Sequence, residues 1–332
     1  MKNEYEVDSI SDFVEMATIT RDMCEDFEPF YRGESEDYGT TSLVPGLFRD
    51  KTLLENETNI YNEIYNRNPD KFKNDSTVIE RLIRMQHYGV PTRLLDITRN
   101  PLVALYFAVK DENLDKDGYV FLLKENVENI RELTDKLVSA IANLALLGNL
   151  RVSYREKAPP LDDILVEARR FNARYLYSTL PKGMWRNSVD ENINTPKLSQ
   201  KKENPNEIKR EIVSYFSDLA PYRFLFGNHF ENPCHDILGI HNIFVINPIQ
   251  NNHRVIAQNS LFFLFGYNAK VKNIEDVKNS AIIVKGKAKT KIKNALDRLG
   301  INECSLFGGI EHTKNWYLET LKLKSNRYNS GS

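Results

Sequence analysis

The chain has 332 residues, of which 41% are apolar and 11% aromatic, enough to bury a core in one large domain or two small ones. Lys plus Arg total 45 and Asp plus Glu total 46. That balance argues against the broad positive field of a general nucleic-acid or anionic-membrane binder, while leaving room for a local basic cleft.

Residues 10 to 17 carry a weak helical period, and residues 29 to 50 are rich in turn formers. Tyr61, Ile64 and Tyr65 predict a helix ending before Pro69. The next helix is better signalled: Thr77 and Glu80 have the spacing of a capping box, and Ile79, Leu82 and Ile83 follow at helical intervals. Gly89 suits the left-handed position after its last turn, and Pro91 blocks continuation. Asn100 and Pro101 read as N-cap and first residue of a helix, LVALYFAVK, that is apolar almost all round and so belongs in the interior. Gly118 opens a strand, YVFLLK.

From about 126 to 232 the pattern is mainly helical. Ile164, Leu165, Ala168, Phe171 and Tyr175 share one face, and Ile208, Ile212, Tyr215 and Phe216 another, with a polar, helix-poor loop over 190–206 between them. Strand patterns return at 242–247, over 254–266 as two strands or one bent one, and at 281–285. Helices are expected over roughly 288–299, stopped by Gly300, and over 312–323. Strands at both ends of a helical middle predict an α+β fold. A central mixed or antiparallel sheet with flanking helices would form one domain over 1–325, with a helical insertion at about 126–232 and a disordered tail over 326–332.

Cys24, Cys234 and Cys304 are odd in number and far apart, without C-x-x-C spacing, which predicts reduced thiols in a cytosolic protein. The opening MKNEYEVDSISDF lacks a secretion pattern. The longest apolar run, near Leu137 to Leu147, is too short to span a bilayer. A cytoplasmic protein without a membrane partner is expected.

Two polar clusters stand between apolar elements. In the first, Tyr31-Arg32-Gly33, the guanidinium offers a planar fork of donors suited to phosphate or carboxylate, and Gly33 would let a ligand approach the backbone. An internal salt bridge, with Asp96 as partner, is the other account. The second is Thr92-Arg93-Leu94-Leu95-Asp96-Ile97-Thr98. Its Leu and Ile residues anchor it in the core, so Asp96 must be paired or hydrogen-bonded, with Arg32, Arg93, Thr92 and Thr98 as available partners. It is either a hydrogen-bond hub or, with Arg32 and the start of the helix at Pro101, an anion site. Gln86 and His87 close the capped helix, where His87 could meet a ligand or cap carbonyls. If 254–258 is a strand, Arg254, Ile256 and Gln258 share a face beside an aromatic wall. The other histidines lack ligand spacing, and no metal site or nucleotide-loop motif is present.

FYRG, then HYGVPTRLLDITRNPLVALYFA, then RVIAQNSLFFLF, then LDRLGINECSLF together resemble the FRG domain family, named for a Phe/Tyr-Arg-Gly motif. The blocks span residues 30 to 310. The chain departs from the family pattern at Ile97, where related chains often carry Trp, at Asn259-Ser260, and in LFGGI near the end. The block order is similar to that of ADP-ribosyltransferases. That similarity implies Arg32 on an NAD phosphate, Thr98 and Asp96 as supports, and Gln258 at the position of a catalytic Glu. Tyr31, Gly33, His87, Thr92 and Arg93 complete the implied ligand pocket, with Asp96 and Gln258 as the catalytic pair. The resemblance leads to two functional classes. One is an NAD-consuming transferase or glycohydrolase with NAD as substrate and, for a transferase, a protein acceptor. The other is a non-catalytic module that binds a nucleotide or another phosphorylated small molecule, for example a sensor in phage defence.

Overall fold

A computed structural model describes residues 5–22, 27–111, 115–146, 163–166, 168, 171, 204–217, 239–250, 252–271 and 274–329. Eight strands form one mixed sheet: β1 (Glu6–Val7), β2 (Glu28–Glu34), β3 (Leu94–Thr98), β4 (Gly118–Glu125), β5 (Ile130–Arg131), β6 (Ile243–Ile246), β7 (Ser260–Phe265) and β8 (Ile282–Val284). Their order is β1-β8-β4-β2-β3-β7-β6-β5. The early helices are α1 (Ile10–Asp22), α2 (Lys51–Glu55), α3 (Glu57–Arg67), α4 (Pro69–Phe72), α5 (Val78–His87), α6 (Pro101–Val109) and α7 (Lys136–Asn143). Beyond them come α8 (Pro205–Ser217), α9 (His253–Ala257), α10 (Ile274–Asn279), α11 (Lys289–Arg298), α12 (Glu303–Phe307) and α13 (Gly309–Asn329). The expected α+β class with helices flanking a mixed sheet is the observed one.

Alternation along the strands sorts the core into two faces. Tyr31, Val120 and Leu122 turn toward α6, α1 and α11, while Leu94, Phe262, Leu264, Phe244 and Ile246 turn toward α3, α5 and α7 on the same side. Phe30, Leu95, Ile97, Phe121, Leu123, Val245, Leu261 and Phe263 form the opposite core with Leu43 and Ala281. Strands β4 and β7 are separated by two strands, yet Leu123 and Phe263 belong to one cluster, so the sheet curls around that second core. β2 and β3 share a single register pair, Tyr31 with Thr98, which joins two four-stranded halves.

Local signals explain the elements that place the site. The capping box of Thr77 and Glu80 starts α5, and Gly89, at φ 78°, ends it. Asn100 accepts from the Leu102 amide and Pro101 opens α6. The stretch expected as strand from 254 divides. Asn252 accepts from the Arg254 amide at 2.9 Å and starts the short helix α9, and a strand follows only from Ser260, after Asn259 at φ 45°. An N-cap side chain therefore overrides the alternating pattern of RVIAQ. The segment around Asp96 is a central strand, β3, which the sequence reading treated only as an anchored polar cluster.

Of the expected helical insertion, α7 and α8 lie among the described residues, and Ile164, Leu165, Ala168, Phe171 and Ile208 are buried in the core over α5 and α7. Tyr175, nearly all of the 190–206 loop, Cys24 and Cys234 fall outside them. The last helix reaches Asn329, into the stretch assigned to a disordered tail. No helix among the described residues is long and apolar enough to cross a membrane.

Candidate functional site

Strand alternation separates the two residues that the sequence reading joined. Arg32 shares the side of Phe30, and Asp96 shares the side of Leu94, on the opposite face of the sheet. Arg32 pairs instead with Glu34: Nε donates to Oε1 at 3.0 Å, and Nη1 donates to the backbone carbonyl of Asp96 at 2.7 Å. Glu34 Oε1 also accepts from the Leu43 amide at 3.1 Å. Arg32 thus ties β2 to β3 and to the 39–49 loop. Glu34 Oε2 and Ser42 Oγ are buried nearby without a hydrogen-bond partner. A Cβ on Gly33 would lie 1.8 Å from the Ala104 carbonyl oxygen, so the missing side chain admits helix α6 rather than a ligand.

Four more of the expected residues serve the scaffold. Arg93 is 3% exposed, with Nε and Nη2 on the Glu57 carboxylate and Nη1 on the Phe265 carbonyl at 3.0 Å. Thr98 Oγ1 donates to the Gln258 carbonyl at 2.7 Å and accepts from the Asn100 amide, linking the end of α9 to the start of α6. Gln258 is 3% exposed; its side chain donates to the Leu306 carbonyl at 3.2 Å and accepts from Ser260 Oγ. Tyr31 is buried against α6.

The structure does bring Asp96, His87 and Thr92 together, and it adds Gln86, Asn252 and Arg254. Thr92 Oγ1 donates to Gln86 Oε1 at 2.7 Å, which turns the Gln86 amide so that Nε2 donates to Asp96 Oδ2, also at 2.7 Å. The carboxylate of half-buried Asp96 is thereby held in place on the otherwise buried β3. Arg254 reaches from α9 to the end of α5, where Nη1 donates to the His87 carbonyl at 2.9 Å. Its Nε is buried and has no partner. Its guanidinium carbon lies 4.9 Å from the centre of the Phe307 ring, and Lys110 Nζ lies 5.9 Å from the same ring.

Three groups share one electrostatic field here. Burial lowers the Arg254 pKa, and nearby Asp96 opposes that shift. Burial, followed by the Arg254 charge, pushes His87 down to about 4, with Asp96 again opposing. His87 is therefore neutral at pH 7, and its Nδ1 meets Asn252 Nδ2 at 3.2 Å. His87 and Asn252 line a cleft of about 530 Å³, with Asp75, Arg84 and Pro248 around it. Arg84 is bound bidentately by Asp75, at 2.5 and 2.7 Å, and is not available to a ligand. Among the described residues no group of three or more His, Cys, Asp or Glu could hold a metal ion.

Arg254 and Asn252 are the members that sequence reasoning missed. A strand reading puts Arg254 on one face with Ile256 and Gln258 and gives it no role of its own. The available signal was Asn252, an N-cap type two residues earlier.

No curated protein and no solved structure matches the chain. The FRG domain family model matches residues 28–117, from the start of β2 to the residue before β4, and the chain therefore carries an FRG domain over that span.

Proposed function

We propose that the chain binds a phosphorylated small molecule where α5, β3 and α9 meet, with Arg254 receiving the phosphate and Asp96 accepting from a hydroxyl of the same ligand. One observation carries this reading: the guanidinium of Arg254 is largely withdrawn from water with its Nε unpartnered and, among the described residues, no carboxylate in ion-pair contact, whereas Arg32 and Arg93 are each neutralised by a glutamate. A buried charge without a counterion is costly, and an incoming phosphate would supply the missing acceptors. Lys110, sharing the Phe307 ring, adds a second cation for a multiply charged ligand. Asp96, oriented by Gln86 through Oδ2, offers its other oxygen to a sugar hydroxyl. Neutral His87 contributes hydrogen bonding without a competing charge.

Calorimetric titration of the full chain with inorganic phosphate, AMP, ADP-ribose and NAD tests this. Arg254→Gln should weaken binding by roughly 10- to 100-fold, the loss of a charge-assisted contact. Asp96→Asn should weaken the ribose-containing ligands and leave inorganic phosphate unchanged. No binding by any of the four, or wild-type binding by Arg254→Gln, sinks the proposal. Nicotinamide release from NAD decides between the two classes. Release that disappears in Asp96→Asn supports an NAD-consuming transferase or glycohydrolase, with Asp96 stabilising positive charge at the sugar. Binding without release supports a nucleotide-binding module. Gln258 has no part in either, since its side chain is buried against Leu306 and Ser260.

A further inference from the structure

The opposite face of the sheet carries a larger cavity that the site above does not use. About 800 Å³ in volume, it opens at the end of β4, where the curled sheet meets α10. Its floor is apolar: Leu123 and Phe263, each 3% exposed, belong to the second core, and half-buried Val277 of α10 packs against them. Phe27, 43% exposed, presents a ring at its edge. The rim is polar. Lys270 lines it, is exposed, and is not paired with a carboxylate among the described residues, whereas alternation turns the Lys124 side chain with Leu122 toward the other face. Two acids share the rim: Glu125 is engaged by Asn129 at 2.8 Å, and Asp276 lies on α10.

A mouth of this kind, with a dry floor and charged rim, takes a ligand of divided character, whose apolar body leaves water while its head stays at the surface. The volume falls within the range of pockets that hold drug-sized molecules, roughly 300–1,000 Å³. We propose that this cavity is a second binding site, for a small amphipathic anion: an apolar or aromatic body on Leu123, Phe263 and Val277, and an acidic head at Lys270. The two sites lie on opposite faces of the sheet, so this one stands whether or not Arg254 binds phosphate.

The probe is 8-anilinonaphthalene-1-sulfonate, an aromatic body with an acidic head, titrated into the full chain by fluorescence well below the melting temperature. N-phenyl-1-naphthylamine is its neutral counterpart. Val277→Trp fills the cavity and should abolish binding of both dyes. Ser280→Trp, an exposed change on the same lining, repeats the test where Val277→Trp fails to fold. Lys270→Glu should weaken the sulfonate by about fivefold and leave the neutral dye unchanged. Sulfonate binding that survives the tryptophan variant overturns the site. Binding that the tryptophan blocks but the lysine reversal does not weaken overturns the acidic head.

Discussion

Arg93 and Arg254 are both largely withdrawn from water, and their surroundings are opposite. Arg93 places two nitrogens on the Glu57 carboxylate and a third on the Phe265 carbonyl, and Phe48 covers its guanidinium. Arg254 has one carbonyl, an aromatic ring and a buried Nε with nothing to bond. The first arrangement is complete without a ligand, because every charge and donor that burial strips of water finds a partner inside the chain. The second leaves a charge uncompensated and donors unspent, at a position where the neighbouring carboxylate approaches without closing an ion pair. Hydrogen-bond completeness, more than the presence of an arginine, separates scaffold from candidate site. Arg32, the residue that names the motif, has its charge neutralised by Glu34, although Glu34 Oε2 and Ser42 Oγ beside it remain without a hydrogen-bond partner.

Breaking the complete region should cost most. Glu57→Gln leaves a buried guanidinium without its counterion, and the loss should reach about 3–5 kcal/mol in urea unfolding at pH 7. A loss under about 1 kcal/mol would mean that Arg93 finds water or another acceptor, and the contrast with Arg254 would fail. Gly33→Ala comes next. The clash is with backbone, the carbonyl of Ala104, so it is relieved only by lifting α6 from β2. About 3 kcal/mol is expected, read from the same unfolding curves. Ligand affinity measured on the folded fraction should be unchanged, since Gly33 holds a helix and not a guest.

What the sequence could show follows the range of the interactions involved. Thr77 with Glu80, Asn100 with Pro101, and Gly89 are devices acting within four residues, and each is where its spacing predicts. The apolar helix α6 and strands β4, β6 and β8 were legible for the same reason. Asp96 and His87 lie near each other because Gln86 and Thr92 connect α5 to β3 across a short turn. Arg32 with Asp96 was not resolvable without knowing that both sit on paired strands. Once β2 and β3 are antiparallel with Tyr31 opposite Thr98, alternation sends the two side chains to opposite faces. Gln258 failed through a local competition, in which Asn252 capped a helix inside an alternating stretch. Asn252 could have placed Arg254 on a short helix, but the unpartnered Nε that gives Arg254 its significance is seen only in the assembled fold.

His87 tests the incomplete region through pH. Its pKa in the fold, about 4, lies below the 6.5 of an unperturbed histidine. The unfolded chain therefore takes up a proton that the folded chain refuses. The stability tied to this group is complete above pH 6.5, falls as pH drops toward 4, and changes no further below that. The loss should be on the order of 2 kcal/mol once solvent screening of a half-buried ring is allowed for. His87→Gln removes it, so the difference between the two proteins, followed by urea unfolding from pH 7 to pH 4, isolates this one titration. Parallel curves would show that His87 is protonated as freely in the fold as outside it, and the field assigned to Arg254 would be too weak to organise a site.

Arg254→Gln has the smallest expected effect on folding and is the sharpest test. It removes one hydrogen bond to the His87 carbonyl, and with it a largely buried charge that no carboxylate among the described residues neutralises. These contributions oppose each other, so stability should change by less than about 1 kcal/mol, against the several lost at Arg93. The same change removes a positive neighbour from His87 and leaves Asp96 in place, so the imidazole pKa should rise from about 4, as measured by NMR of the ring protons. A bound phosphate supplies negative charge at the same point and should move His87 in the same direction in the wild type, but not in the variant that has lost the site. If Arg254→Gln were as damaging as the loss of Glu57, the guanidinium would be a structural cap on α5. An unfilled Nε would then be no more than a fault of packing, and the distinction between complete and incomplete charges would not locate function in this chain.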